Sequence, residues 1–256
     1  MTDTYYTAFL SEQYKLLRNR QIFGLLLVPV LLILLIDGYI VYELFSSGTV
    51  STVPNPWKVL LGRYVFQFFY LLYPLLVALF VHACCDVEYK NNNYKILFTL
   101  PISKANIFFS KALLILLTVL FSVLLAYATF LISGYVFSIC YPELGFQHYD
   151  YRAVIFYTFL KLLITLSAIA MLQLALSLLL RNFIYPIGVS MLMLVCSIMV
   201  AQKKFADFIP YTGAYKAFAN IMNEQESFER LDYSNIAMIA LFMLISFFLF
   251  RRKGQF

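Results

Sequence analysis

Residues that could carry chemistry are few in this sequence and far apart. His82 and His148 have neither a histidine four positions away nor a neighbouring Glu-x-x-His, the spacing that would turn two ligands toward one metal ion. The four cysteines, Cys84, Cys85, Cys140 and Cys196, form no CxxC pair, and two of them sit in apolar runs. They read as passive lipid-embedded thiols rather than as a zinc site or disulfide framework. None of the nine glycines precedes a lysine, so the Gly-Lys-Ser/Thr step that wraps nucleotide phosphates in backbone amides is missing. What remains is a set of polar residues inside apolar stretches: Asp37, Gln67, Lys161 and Gln173. An intramembrane carboxylate is a functional candidate by default. Asp37 suits either a polar substrate path or a pairing near the outer surface with a base such as Arg63. Gln67 and Gln173 suit interhelical hydrogen bonds first and a path second. Lys161 precedes Leu162 to Leu180, already about 28 Å of helix, so it is expected to snorkel at the outer headgroups.

The elements that position these residues follow from composition. Of 256 residues, 62% are apolar and 12% charged, with a mean hydropathy of +0.82. Soluble chains carry about 45–50% and about 25%, so this one cannot cover a water-facing surface. A soluble enzyme, a disordered regulator and a nucleic-acid-binding domain are disfavoured, and the pI near 9.0 is better explained by membrane topology. A hydrocarbon core needs about 20 apolar residues of helix. Six stretches approach that: Ile22 to Tyr42, Tyr64 to Cys85, Ala112 to Phe137, Val154 to Leu180, Phe183 to Ala201 and Ser234 to Phe250. They do not alternate in polarity as barrel strands would, so they are read as helices, with Pro29, Pro74 and Pro186 tolerated inside them. Six spans put both termini on one side. One side then carries eleven bases and four acids, the other seven bases and eight acids, which places the termini in the cytoplasm.

Outside the spans no segment is long enough for a second domain, so residues 1–256 form one integral unit. Tyr6, Phe9, Leu10, Tyr14 and Leu17 recur at helical spacing, with Glu12, Lys15 and Arg18 opposite them, which predicts an amphipathic helix lying in the interface. The loop after the second span runs from Asp86 to Lys111. In it, Asn91 to Asn93 can cap a short helix over Tyr94 to Leu100, Pro101 ends that helix, and Ser103 caps the next, with Lys111 at the headgroups. From the residues alone the short helix is either a plain interfacial element or one presented to a partner.

Glu88, Leu97, Pro101, Ile102, Ser103, Lys104 and Lys111 fall without a gap on the loop pattern of type-2 (ABC-2) ATP-binding-cassette exporter permeases, which this chain resembles. It departs from that pattern at Asn92-Asn93, where the family has Gly-Thr, and at Lys95, where the family has an acid. The resemblance implies an all-helical membrane protein of six spans with an N-terminal interfacial helix, a cytoplasmic coupling helix, and short outer-leaflet helices between spans five and six. It implies that Glu88, Tyr94, Lys95, Leu97, Phe98, Pro101, Ser103 and Lys104 engage a separate ABC ATPase, which binds the ATP and Mg, leaving this chain with no cofactor and no catalytic residue. It further implies a second permease, identical or similar, in a bacterial cytoplasmic membrane, and an outer gate at Phe208, Pro210 and Tyr211. Asp37, Gln67 and Gln173 are the candidate path residues. So compact an exporter resembles those moving lantibiotics and other membrane-active peptides. Two other classes make different demands. A secondary transporter would show matched broken helices in two halves, and an intramembrane enzyme would need convergent His, Glu or Asp.

Overall fold

The computed structural model describes residues 2–47, 55–89, 103–180, 184–224 and 226–253, and the regular structure among them is helical throughout. Helix α1 (Thr2–Arg18) meets α2 (Arg20–Ser47) at Asn19, whose side chain accepts from the Gln21 amide at 3.1 Å. The third element, α3, is continuous through three forms: Pro56–Lys58, a π-helix over Val59–Phe66, and Gln67–Tyr89. Asn55 caps it by accepting from the Lys58 amide, and Pro56 takes the first-turn position where its missing N–H is harmless. Helix α4 (Lys104–Cys140) starts at Ser103, whose hydroxyl accepts from the Asn106 amide at 3.2 Å. Two 3-10 turns flank Gly145, which takes φ 73°, and lead into α5 (Arg152–Leu179). Then come α6 (Ile184–Val200), a 3-10 turn at Lys204–Phe208, α7 (Thr212–Asn223) and α8 (Arg230–Lys253).

Five stretches are long and apolar enough to cross a membrane: Arg20–Phe45, Pro56–Asp86, Lys104–Cys140, Arg152–Leu179 and Arg230–Arg252. The expected fifth span, 183–201, is the 17-residue helix α6, about 25 Å long. The helices overrun the expected spans. α3 begins eight residues before Tyr64 and α4 eight before Ala112, because the caps at Asn55 and Ser103, not the hydropathy edge, start them. Pro29 and Pro74 lie inside α2 and α3 without ending them. Burial is uneven: 72% of the most apolar stretch of α5 is buried, against 17% for α2 and 22% for α8. α5 is therefore the axis around which the others pack.

An aromatic core fixes this arrangement. Phe66 meets Phe159 edge-on at 5.6 Å, Phe130 lies 6.0 Å from Phe159, and Trp57 packs on Phe130 and Phe146. The Trp57 indole also donates to the Phe146 carbonyl at 3.0 Å. Gly134 makes room for that ring: a Cβ there would stand 2.1 Å from it.

Candidate functional site

The expected coupling helix, Tyr94 to Leu100, falls within 90–102, so Tyr94, Lys95, Leu97, Phe98 and Pro101 lie outside the described residues, as do Asn91 to Asn93 and Ile102. Its two supports are described: Glu88 belongs to the last turns of α3, and Ser103 and Lys104 open α4. Close to that start is a cluster that sequence reasoning missed. Glu12 is 7% exposed, paired with Lys15 on its own helix and with Lys111 of α4 at 3.3 Å. This corrects one expectation, since Glu12 is not on a solvated face, and it encloses Lys111, 3% exposed, within the protein. The apolar side of α1 faces outward instead, with Tyr6, Leu10 and Tyr14 exposed. Burial pushes the Glu12 carboxyl up, but the Lys111 and Lys15 charges outweigh it and hold the group below the usual carboxylate range.

The three expected gate residues part company. Phe208 is exposed and lies 5.9 Å from the Arg230 guanidinium, whereas Pro210 and Tyr211 are buried. Tyr211 is 1% exposed; its hydroxyl accepts from Gln173 Nε2 at 2.7 Å and shares a proton with Ser190 at 2.8 Å. Ser190 stands six residues into α6, only about 9 Å along it. The segment after α6 therefore folds back deep between α5 and α6 before α7 climbs out again. Thr212 holds the turn by donating to the Ala206 and Ile209 carbonyls, both at 2.7 Å. Gly213 permits the close approach of α7, because a Cβ there would meet Thr165 Oγ1 at 2.4 Å. At the far end of α7 the Ile221 carbonyl accepts from Tyr151, and Lys58 pairs with Glu224 at 2.9 Å. Burial, with the Glu224 charge nearby, pushes the Tyr151 phenol up to about 12.

Below α7, Asn235 donates to Thr165 at 3.2 Å, and Lys161 faces Asp232 at 3.9 Å, each 2% exposed. Lys161 thus does not snorkel to the headgroups. The folded-back segment and α8 cover that stretch of α5, and an enclosed base is stable only with a carboxylate beside it.

The candidate path residues are not brought together. Asp37 accepts from Ser133 of α4 at 2.5 Å, and its pairing is there rather than with Arg63. Gln67 is exposed and lines a cleft between α2 and α3 with Tyr39, Arg63 and Tyr64. Gln173 is fully buried under Tyr211. Among the described residues no group of three or more His, Cys, Asp or Glu could hold a metal ion. A family model described as ABC-2 family transporter protein matches residues 8–197. No curated protein and no solved structure matches the chain.

Proposed function

The chain belongs to the ABC-2 family of transporter proteins, and from that premise we propose that it is the permease subunit of an ATP-driven exporter. Its ATPase is a separate chain, engaged by the loop at 90–102, and its cargo is a membrane-active peptide such as a lantibiotic. The carrying observation is the match over residues 8–197, which takes in most of α1, the loop and most of α6. The charge imbalance supports cytoplasmic termini, and with α6 as the fifth crossing the chain has the even number of spans this requires. Pairing with a second permease, identical or similar, belongs to this reading as the family resemblance implies it.

Two measurements test this reading. A tagged chain extracted from bacterial membranes should bring an ABC ATPase with it, and Leu97→Ala/Phe98→Ala should insert normally but lose it. Two such truncations in a protein groove remove about 2–5 kcal/mol each, enough to weaken docking by several orders of magnitude. A double variant that keeps both the ATPase and transport would refute the coupling role. Cysteines introduced at Asn92 and Lys253 should react with an impermeant thiol reagent only in opened cells, and one at Glu226 in intact cells. Labelling at Asn92 from outside would reverse the orientation.

A further inference from the structure

We propose that the cleft between α2 and the π-helical part of α3 is a binding site for an anionic phospholipid, with Arg63 holding the phosphate. The cleft has a volume of about 460 Å³, within the range of sites that enclose small molecules. Its walls are graded. Leu32 and Leu35 of α2 and Phe68 of α3 form the apolar part, and Tyr39, Tyr64 and Arg63 form the polar end. The depths match the two halves of a lipid. Arg63 lies 23 residues before Asp86, about 35 Å along α3. Tyr39 lies 19 residues beyond Arg20, about 28 Å along α2. Both sit at the headgroup level away from the termini, the outer leaflet in the orientation proposed above. Leu32 is two turns deeper, about 10 Å, at acyl-chain depth.

Charge selects the ligand. Arg63 is exposed and its guanidinium lies 5.9 Å from the Tyr64 ring, while among the described residues no carboxylate forms an ion pair with it. By contrast, Lys58, one turn earlier, is neutralised by Glu224. The Tyr64 hydroxyl donates to Glu43 at 3.3 Å, which fixes the ring beside the cleft. The π-helix sets the orientation: over its eight residues Leu60, Leu61, Val65 and Phe66 stay buried while Arg63 and Tyr64 turn to the cleft. Such wide turns are rare and frequently fall at functional sites. A planar guanidinium with five donors matches phosphate oxygens, and tyrosines at this depth suit the interface.

Native mass spectrometry of the purified full chain, titrated with phosphatidylglycerol or phosphatidylcholine, tests this. The wild type should bind phosphatidylglycerol at least tenfold more tightly. Arg63→Gln should bring it to the phosphatidylcholine level, about a tenfold loss, as expected for one charge-assisted contact. Leu35→Trp, which fills the apolar part without touching the charge, should weaken both lipids. Arg152→Gln, an exposed cation elsewhere, should change nothing. Equal affinity for the two lipids, retention of phosphatidylglycerol by Arg63→Gln, or full displacement by soluble glycerol 3-phosphate would each overturn the lipid site. Thermal midpoints should be unchanged in Arg63→Gln, whose side chain is exposed. Lipid binding is measured here without an ATPase, so its failure leaves the permease reading untouched.

Discussion

Replacing Tyr211 with phenylalanine removes one oxygen and strands two partners. The hydroxyl accepts a hydrogen bond from Gln173 Nε2 at 2.7 Å and pairs with Ser190 at 2.8 Å, and all three side chains are at most 1% exposed. Gln173 is poorly served already, since its Oε1 has no hydrogen-bond partner among the described residues. Interhelical hydrogen bonds in membranes average about 0.6 kcal/mol, because in the unfolded reference the groups find other partners. Leaving a buried donor unmade costs about 1–3 kcal/mol. The larger figure governs here, because neither Gln173 nor Ser190 can turn to water without unpacking α5 from α6. Tyr211→Phe should therefore destabilise the chain by about 2–3 kcal/mol. Adding Gln173→Leu removes the stranded amide, so the double variant should lose less than the two single losses together, with a coupling of about 1–2 kcal/mol. The assay is denaturant unfolding in detergent, followed by the emission of Trp57, the one tryptophan in the chain. Single losses that add to within about 0.5 kcal/mol would show that the pairing contributes nothing.

Gly134→Ala places a Cβ 2.1 Å from the Trp57 ring, so the indole must move; a loss of about 1–3 kcal/mol and a red-shifted Trp57 emission should follow, and an unshifted spectrum would count against the packing. For Glu12 the sign follows from the direction of its shift. A carboxyl held below its unfolded value of about 4.3 stabilises the fold above that pH and loses this as pH falls through the folded value. Unfolding midpoints taken at falling pH should drop more steeply in wild type than in Glu12→Gln, and parallel curves would remove Glu12 from the cluster.

The helical class was legible because nothing but helix suits long, non-alternating apolar runs, and five of the six expected spans reappear as long apolar helices. Rotation was not legible. In a helix apolar all round, hydropathy does not say which neighbour Asp37, Gln67 or Gln173 faces, and each turns to a different one. The ion pairs escaped for a related reason. Glu12 with Lys111 and Lys161 with Asp232 join residues far apart in sequence, and each charge alone, near a span end, reads as one reaching for water. Phe208 and Tyr211 look equivalent as interfacial aromatics. The turn held by Thr212 sends one outward and the other inward, and a hydroxyl that meets Gln173 and Ser190 makes the inward position tenable for tyrosine.

The polar contacts collect on α5. Lys161, Thr165 and Gln173 tie it to α8 and to the folded-back segment, so its polar side chains find partners within the chain. α2 is the opposite case, with an outer face of Leu27, Leu31, Leu34 and Leu35 and little buried. In the pairing proposed above, a second permease on this face would have few polar groups to satisfy, and lipid is as apolar as leucine, so hydrophobic transfer offers no drive. Shape must decide the contact. Gly24 and Gly38 on α2 and Gly188 on α6 are the positions where shape can act, because nothing lies within 4 Å of where their Cβ atoms would stand. Alanine at Gly38 adds a Cβ that meets nothing in this chain, so a weakened permease pair in that variant would place the contact on α2.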